Sequence, residues 1–409
     1  MGRVSILLVI GTSFMFLFVN KNLNDVGVEA LNNAINYYEN TMRYNIAVAG
    51  ANFSCSEIFR APNWRTGFSN ITFNGGKFSV VVTDLGVSNR VQIVSTATYE
   101  GVVQTVTVVL QPSYFSKFGY YGGTHASSAA WETGDTIAGP NHTQGTLYTS
   151  GSPVFLGKTT SKTGLSASGS PANPQFIGGY ETGVSIPMPN NYNNIDSAAI
   201  AGGHKYTGGN LYLHFTSDGN VKVIYSGTAL TYPINWTPVA AVAVSTLASN
   251  GVVNVLNGNL YVEGAVNGRV TLAATRSSSG GSNGNVTIMN DLTLADNPLA
   301  NPNSDDLVGL VAYGDITVRD NSATSFKVQG SLYSYTGGFA VENYNSRPSG
   351  VLSLLGGFIV DALYATSNGG SGASRRGYNL SVKYDDRLAA TAPPAYPATG
   401  NYEIVSWLE

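Results

Sequence analysis

Charge is what this sequence has least of. Asp, Glu, Lys and Arg make up 11% of its 409 residues, against about 25% in an ordinary soluble domain. The net charge is −3, so no global basic field is available to hold nucleic acid. There is one cysteine, Cys55, which excludes an intramolecular disulfide framework and a cysteine metal cluster. Histidine is scarce too. His125, His142, His204 and His214 fall at no metal-ligand spacing such as H-x3-5-H, and they read as loop or strand surface residues. The chain has no P-loop and no H-E-x-x-H. No proline precedes Pro62. What abounds is glycine, at 48 residues, and tyrosine, at 24, a bias that fits turn-rich β structure.

The proline-free stretch opens on an apolar run, "VSILLVIGTSFMFLFVNKN", at residues 4–22. As a helix its apolar part reaches only about 21 Å, short of a hydrocarbon core of about 30 Å. It has the basic flank and apolar core of a signal peptide, Arg3 leading, but residues 20–23 offer no A-x-A pattern. Beyond it, apolar residues recur at Leu23, Val26, Ala30, Leu31, Ala34, Ile35, Tyr38, Met42 and Ile46. Those steps of three and four predict an amphipathic helix. One continuous helix of about 50 residues follows, apolar all round in its first third. An all-apolar end needs lipid or copies of itself as a burial partner, and the amphipathic remainder needs a globular body.

After Pro62 the period changes. "KFSVVVTDLG", "RVQIVSTATYEG" and "VVQTVTVVLQP" are short β-branched runs bounded by Gly, Asp and Asn. They predict a small antiparallel sheet against the helix, with "TFNGGKF" as a turn. Residues 112–190 loosen into turn-rich text with short strands. From Leu211 onward "GNLYLHFTSDGNVKVIYSG", "GNLYVEGAVNGRVTLAA", "GNVTIMNDLTL", "DLVGLVAYGDITV" and "GVLSLLGGFIVDALYA" repeat short strands broken at Gly or Asn-Gly. The fold class is therefore α+β, in four parts: a long helix over 1–55 (1–22 apolar, 23–55 amphipathic), a small sheet over 56–111, a loop-rich β region over 112–190 and a large all-β domain over 191–409. A β-solenoid is the preferred form of that last part, with a sandwich as the alternative. The tail "GNYEIVSWLE" reads as a final strand anchored by Trp407.

A long N-terminal helix, apolar and then amphipathic, followed by an antiparallel sheet resembles the type IV pilin superfamily, bacterial type IV pilins and the pseudopilins of type II secretion. The resemblance covers residues 1–55, with a looser likeness to the solenoid-like C-terminal domains of some pilin-like proteins. It implies that the helix waits in the inner membrane and then packs with its copies into a filament at the cell surface. Val4, Ile6, Leu7, Leu8, Val9, Ile10, Phe14, Met15, Phe16, Leu17, Phe18 and Val19 would be the polymerising residues. It further implies a methylated mature N-terminus, Met1 in this numbering, and help from pilus or type II secretion machinery. The family usually carries a glutamate at its fifth mature residue; here that position is Ser5, a departure shared with some minor members.

"NDLTLADNPLANPNSDDLVG" holds the one acidic cluster, Asp291, Asp296, Asp305 and Asp306. Hard oxygen ligands of this kind suit Ca2+, but Asp and Asn also cap turns, and turn capping is the preferred reading. No cofactor is expected. The chain reads as a structural filament subunit rather than an enzyme. The alternatives are a minor pilin or pseudopilin, a membrane-anchored β-solenoid acting on polysaccharide, and a monomeric adhesin.

Overall fold

The computed structural model describes residues 2–86, 90–124, 129–188, 193–278, 281–368 and 376–408. Met1 lies outside them, as do His125 and part of the boundary loop expected near residue 190. The chain divides into two compact units, residues 1–112 with 400–409, and residues 113–399.

The first unit is built on one helix, α1 (Gly2–Arg60), 59 residues long and about 88 Å at 1.5 Å per residue. Nothing in the sequence interrupts it before Pro62, which disfavours helical backbone at Ala61. Only its rear half is packed. Ile46, Ala47, Ala51 and Ile58 are buried against a five-stranded antiparallel sheet. Its first four strands are β1 (Phe68–Phe73), β2 (Gly76–Asp84), β3 (Val91–Tyr99) and β4 (Val102–Tyr114). The sheet answers with Phe78, Val80, Val91, Ile93, Ala97, Val106, Val108 and Leu110. Each such side chain contributes about 1.5–3 kcal/mol by leaving water. The approach is close because the helix is small there. A Cβ on Gly50 would stand 2.5 Å from Ser95 Oγ and 2.8 Å from the Phe78 ring. Asn74 and Gly75 both take positive φ in the β1–β2 turn, as a two-residue hairpin with right-handed twist requires.

The fifth strand is Ala398–Leu408, beside β4. The sequence reading had placed these last residues with the large β domain. They return to the first unit because Tyr402 and Trp407 pack against its core.

Cys55 sits in this core, and burial pushes its thiol up to about 11. The folded thiol therefore stays protonated at pH 8 and is inert to alkylation until the protein unfolds. The sign of the linkage follows. The unfolded thiol ionises near the ordinary value of 9.0 while the folded one resists, so stability falls as pH rises above that value. A thiol titration at pH 8 should read zero reactive groups in buffer and one in denaturant.

The second unit is a stack of parallel coils. Each turn of chain lays down three short strands, and each strand pairs with its counterpart one turn away. The first face runs through His204–Thr207, Val252–Leu256, Arg269–Thr275 and Leu307–Ala312, then into residues 331–334 and 357–360. The second face aligns Leu211, Leu260, Val286, Ile316 and Phe339. The third aligns Val328, Leu354 and Val382. Their inward side chains form one continuous apolar core. Such parallel pairing of successive turns differs from the two face-to-face antiparallel sheets of a sandwich.

Chain order and stacking order differ. Residues 120–182 do not precede His204 in the stack; they continue it beyond the last C-terminal turn. Phe358 pairs with Tyr120 and Val382 with Ile137. From there Asn141, Thr159 and Tyr180 align on the first face, and Ile137, Phe155 and Phe176 on the third. This segment, expected to be loop-rich, is regular. Its inward positions mix an apolar ladder, Ile137, Phe155 and Phe176, with polar ones: Asn141 Nδ2 donates to Thr159 Oγ1 at 3.4 Å, and Ser161 Oγ lies 2.7 Å from the Tyr180 hydroxyl.

The chain then crosses back along the outside of the first face. Ile186, Met188 and the helix α2 (Asn193–Ile200) cover Tyr121, Tyr333, Val311 and Ala273. That face is therefore buried on both sides, as a parallel sheet should be, with Asn254 and Ser331 bonded to the cover at Asp196 and Tyr396.

Candidate functional site

The exposed surface with the clearest chemistry is the front of α1. Residues 2–38 are all solvent-exposed, and burial begins at Glu39. Val4, Ile6, Leu7, Leu8, Val9, Ile10, Phe14, Met15, Phe16, Leu17, Phe18 and Val19 all stand uncovered, Phe14 at 70% exposure. The helix is long and apolar enough to cross a membrane, by length and composition. The polar Thr12 does not spoil the run, since its hydroxyl lies 2.9 Å from Leu8 O and 3.1 Å from Val9 O. It takes no unsatisfied donor into an apolar partner. Ser5 lies on the same exposed helix and brings no carboxylate.

One expectation is corrected here. The amphipathic stretch from residue 23 was expected to lie wholly on the body. Instead Leu23, Val26, Leu31, Ile35 and Tyr38 remain exposed, because the sheet covers only the segment from Glu39 on. The uncovered rod is thus residues 2–38, about 55 Å, and its apolar stripe continues well past Val19.

The acidic cluster is engaged in loop closure. Asp306 Oδ1 accepts the Gly268 N–H at 2.5 Å and its Oδ2 the Asp296 N–H at 2.8 Å. Asp296 Oδ2 accepts Asn301 Nδ2 at 2.7 Å, and Asp291 Oδ1 accepts the Lys327 N–H at 2.8 Å. Asp305 is exposed. No three His, Cys, Asp or Glu side chains converge with metal-ligand geometry among the described residues. We expect the melting temperature of the protein to be the same in millimolar Ca2+ as in EDTA; a rise of several degrees with Ca2+ would locate an ion that these carboxylates hold.

The histidines do more than coat the surface. His142 is buried, with Nδ1 2.8 Å from Thr160 Oγ1 and Nε2 3.0 Å from Gln144 Oε1. Burial holds its pKa below the ordinary value. Gln144 Oε1 also accepts the Ile186 N–H, so this neutral imidazole helps strap the crossing segment to the stack. His214 Nδ1 lies 3.0 Å from Glu263 Oε1, which also accepts Trp236 Nε1 at 2.6 Å. The trio fastens the arm that carries Trp236 over the hairpin of Asn210–Thr216 and Asn220–Ser226. Sequence spacing could not reveal either contact, since both join different turns of the stack. Residues 280–284 read G-x-S-x-G, but they lead into the strand Val286–Leu294 and so form no strand-to-helix nucleophile elbow.

No model of a known protein family matches the chain, and no curated protein matches it. Among solved structures it is similar to the competence-associated pilin ComZ from Thermus thermophilus, at 12% identity and a TM-score of 0.35, over 90% of this chain and 96% of that one. A likeness at that score carries no argument. What fits a pilin is the chain's own architecture: a long N-terminal helix, apolar and bare in front, seated at the rear on an antiparallel sheet.

Proposed function

We propose that this protein is a structural subunit of a type IV pilus-like filament, polymerising through residues 4–19. The observation that carries the reading is the bare front of α1. An apolar rod of this size is not left in water. It has two burial partners of equal apolarity, lipid before assembly and the same rods of neighbouring copies after it. A contact between different patches of identical subunits does not close on itself and extends into an open helical filament. The route runs from the bacterial inner membrane to the cell surface, with pilus or type II secretion machinery extracting the helix. The second unit, which we describe as a β-solenoid, then faces outward for surface contact or adhesion. The role is association, with no catalytic step assigned.

The long rod and the large, weakly charged body favour a bulk subunit. Ser5 in place of the usual glutamate favours a minor or pseudopilin role. Immunogold electron microscopy of purified surface fibres separates them. Label along the whole fibre is the expected result; label only at one end would assign the minor role, and fibres without label would remove the filament reading altogether.

A further inference from the structure

The bare rod carries a heptad seam. Apolar residues recur in alternating steps of three and four at Val28, Leu31, Ile35 and Tyr38, all exposed. That is the a/d spacing of a helix that packs along another helix. The face they form is not the one seated on the sheet. At 3.6 residues per turn it lies about a third of a turn round from the line of Ala47, Ser54 and Ile58, which are buried against the strands. The same steps continue forward through Asn24 and Lys21 into the apolar run at Leu17, Phe14, Ile10 and Leu7, and end on Arg3. The front third is apolar all round and accepts a partner on any face, so the polar positions decide the register.

Those positions are exposed and open to a neighbour. Arg3, Lys21, Asn24 and Asp25 all face solvent. None of Arg3, Lys21 and Asp25 enters an ion pair among the described residues. Polar or charged side chains set into an apolar helix seam fix which partner position they can meet.

We propose that this seam takes the front of a second copy's rod at a stagger of three heptads, about 21 residues or 32 Å along the axis. Leu7, Ile10, Phe14 and Leu17 of one copy then lie level with Val28, Leu31, Ile35 and Tyr38 of the other. Arg3 comes level with Asn24 and Asp25, and Asp25 holds the flanking e position, where it meets the guanidinium. Lys21 arrives about one turn from Glu39. The other whole-heptad staggers fail. With none, Arg3 meets Arg3 and Lys21 meets Lys21. At one heptad Lys21 meets Phe14 and Asn24 meets Leu17; at two they meet Leu7 and Ile10. At four, Arg3 meets Leu31. Each of these sets like charges together or strands a polar group in an apolar contact. The inference rests on the filament reading and names what covers residues 28–38. A rod in a helical filament has several neighbours, each at its own stagger, and this is the stagger of one of them.

The test uses the full chain in assembled fibres. Phe14→Cys and Ile35→Cys are introduced together, the fibres are oxidised, and free thiols are alkylated during denaturation so that Cys55, buried in the fold, stays silent. A ladder of covalent multimers is the expected result, because level a positions bring Cα atoms within disulfide range. Phe14→Cys with Val28→Cys, one stagger short, stays monomeric. Fibres of normal yield that give only monomers from the first pair, or an equal ladder from the second, overturn the stagger and leave the filament standing. Absence of fibres from the wild-type chain overturns both. Where the cysteine chains do not assemble, charge decides. Asp25→Arg lowers fibre yield about tenfold or more with the pool of membrane-inserted chain unchanged, while Glu29→Arg, the same change of charge at a b position outside the seam, stays within about twofold of wild type. Equal yields from these two variants overturn the proposal.

Discussion

Replacing Phe14 with aspartate should remove the protein from filaments while leaving its body folded. Phe14 is 70% exposed and touches nothing in the single chain, so the substitution costs no packing within the fold. In lipid the new carboxylate costs about 2.5–3.5 kcal/mol at the middle of a helix. Against neighbouring rods the cost is similar, because no arginine or lysine stands nearby in the run; Arg3 and Lys21 only flank it. Similar costs in the two surroundings cancel for the transfer from lipid to fibre, so the penalty falls on bringing the rod out of water; at 1.4 kcal/mol per tenfold that is roughly a hundredfold loss of the membrane-inserted chain from which fibres are built. Sheared-fibre yield should drop below detection, while the melting curve of the detergent-solubilised variant overlays that of the wild type. A variant that loses its fold as well would show that residue 14 is buried within the chain. Fibres at normal yield would show that the rod is not the polymerising element.

Gly357→Val should have the largest effect on the body. A Cβ at Gly357 would lie 2.0 Å from Phe118 O and 3.0 Å from Gly119 O. Those are backbone atoms on the approach to Tyr120, so no side chain can turn away to relieve the clash. The Phe358 N–H donates to Gly119 O across the junction of the two turns. Opening it uncovers Phe358, Tyr120 and Trp131 together, rings packed edge-on or tilted with centroids 5.0–6.3 Å apart. We expect a loss beyond about 4 kcal/mol, the range reached only by severe core damage. The melting temperature of the second unit then falls by roughly 10 °C or more. Gly145→Ala is the control. Its Cβ meets nothing within 4 Å, and it should melt within about a degree of wild type. Wild-type melting of Gly357→Val would mean that the two halves of the stack do not meet at Phe358 and Tyr120.

The junction of Phe358 with Tyr120 also marks where the sequence stops being legible. The helix was readable from Leu23, Val26, Leu31 and Ile35, whose spacing follows local geometry alone, although their burial was not. The antiparallel strands and the Asp218-Gly219-Asn220 hairpin were readable because alternation and turn chemistry are local too. In the coil stack the repeated cue is a Gly-Asn, Gly-Asp or Gly-Gly pair before a short strand, in "GNLYL", "GNLYV", "GNVTI", "GDITV" and "GGFAV". Its physical basis is a ladder in which each side chain accepts the next turn's N–H. Asn259 takes that of Asn285, Asn285 that of Asp315, and Asp315 that of Gly338. The spacing between copies varies because loops of different length leave the stack, and that variation hides the repeat. In the turn-rich segment after Pro112 the text suggested only short strands and loops, since its first-face ladder is built of Asn, Thr and Tyr and its apolar ladder has one residue per turn, Ile137, Phe155 and Phe176. That this segment stacks on Phe358 rather than before His204 is a property of the closed structure, which no local pattern encodes.

The central claim is that the bare rod of one copy lies against the same rod of others. Double substitution Ile10→Cys and Phe18→Cys tests it directly, because Cys55 is buried in the folded fibre and is alkylated as it is exposed on denaturation. Assembled fibres are oxidised, denatured without reductant and separated by size. A ladder of dimers, trimers and longer species is the predicted result, with the ladder absent from membrane-embedded chains diluted in lipid. Fibres that yield only monomers, or mature protein that mass spectrometry shows to lack residues 4–19, would contradict it.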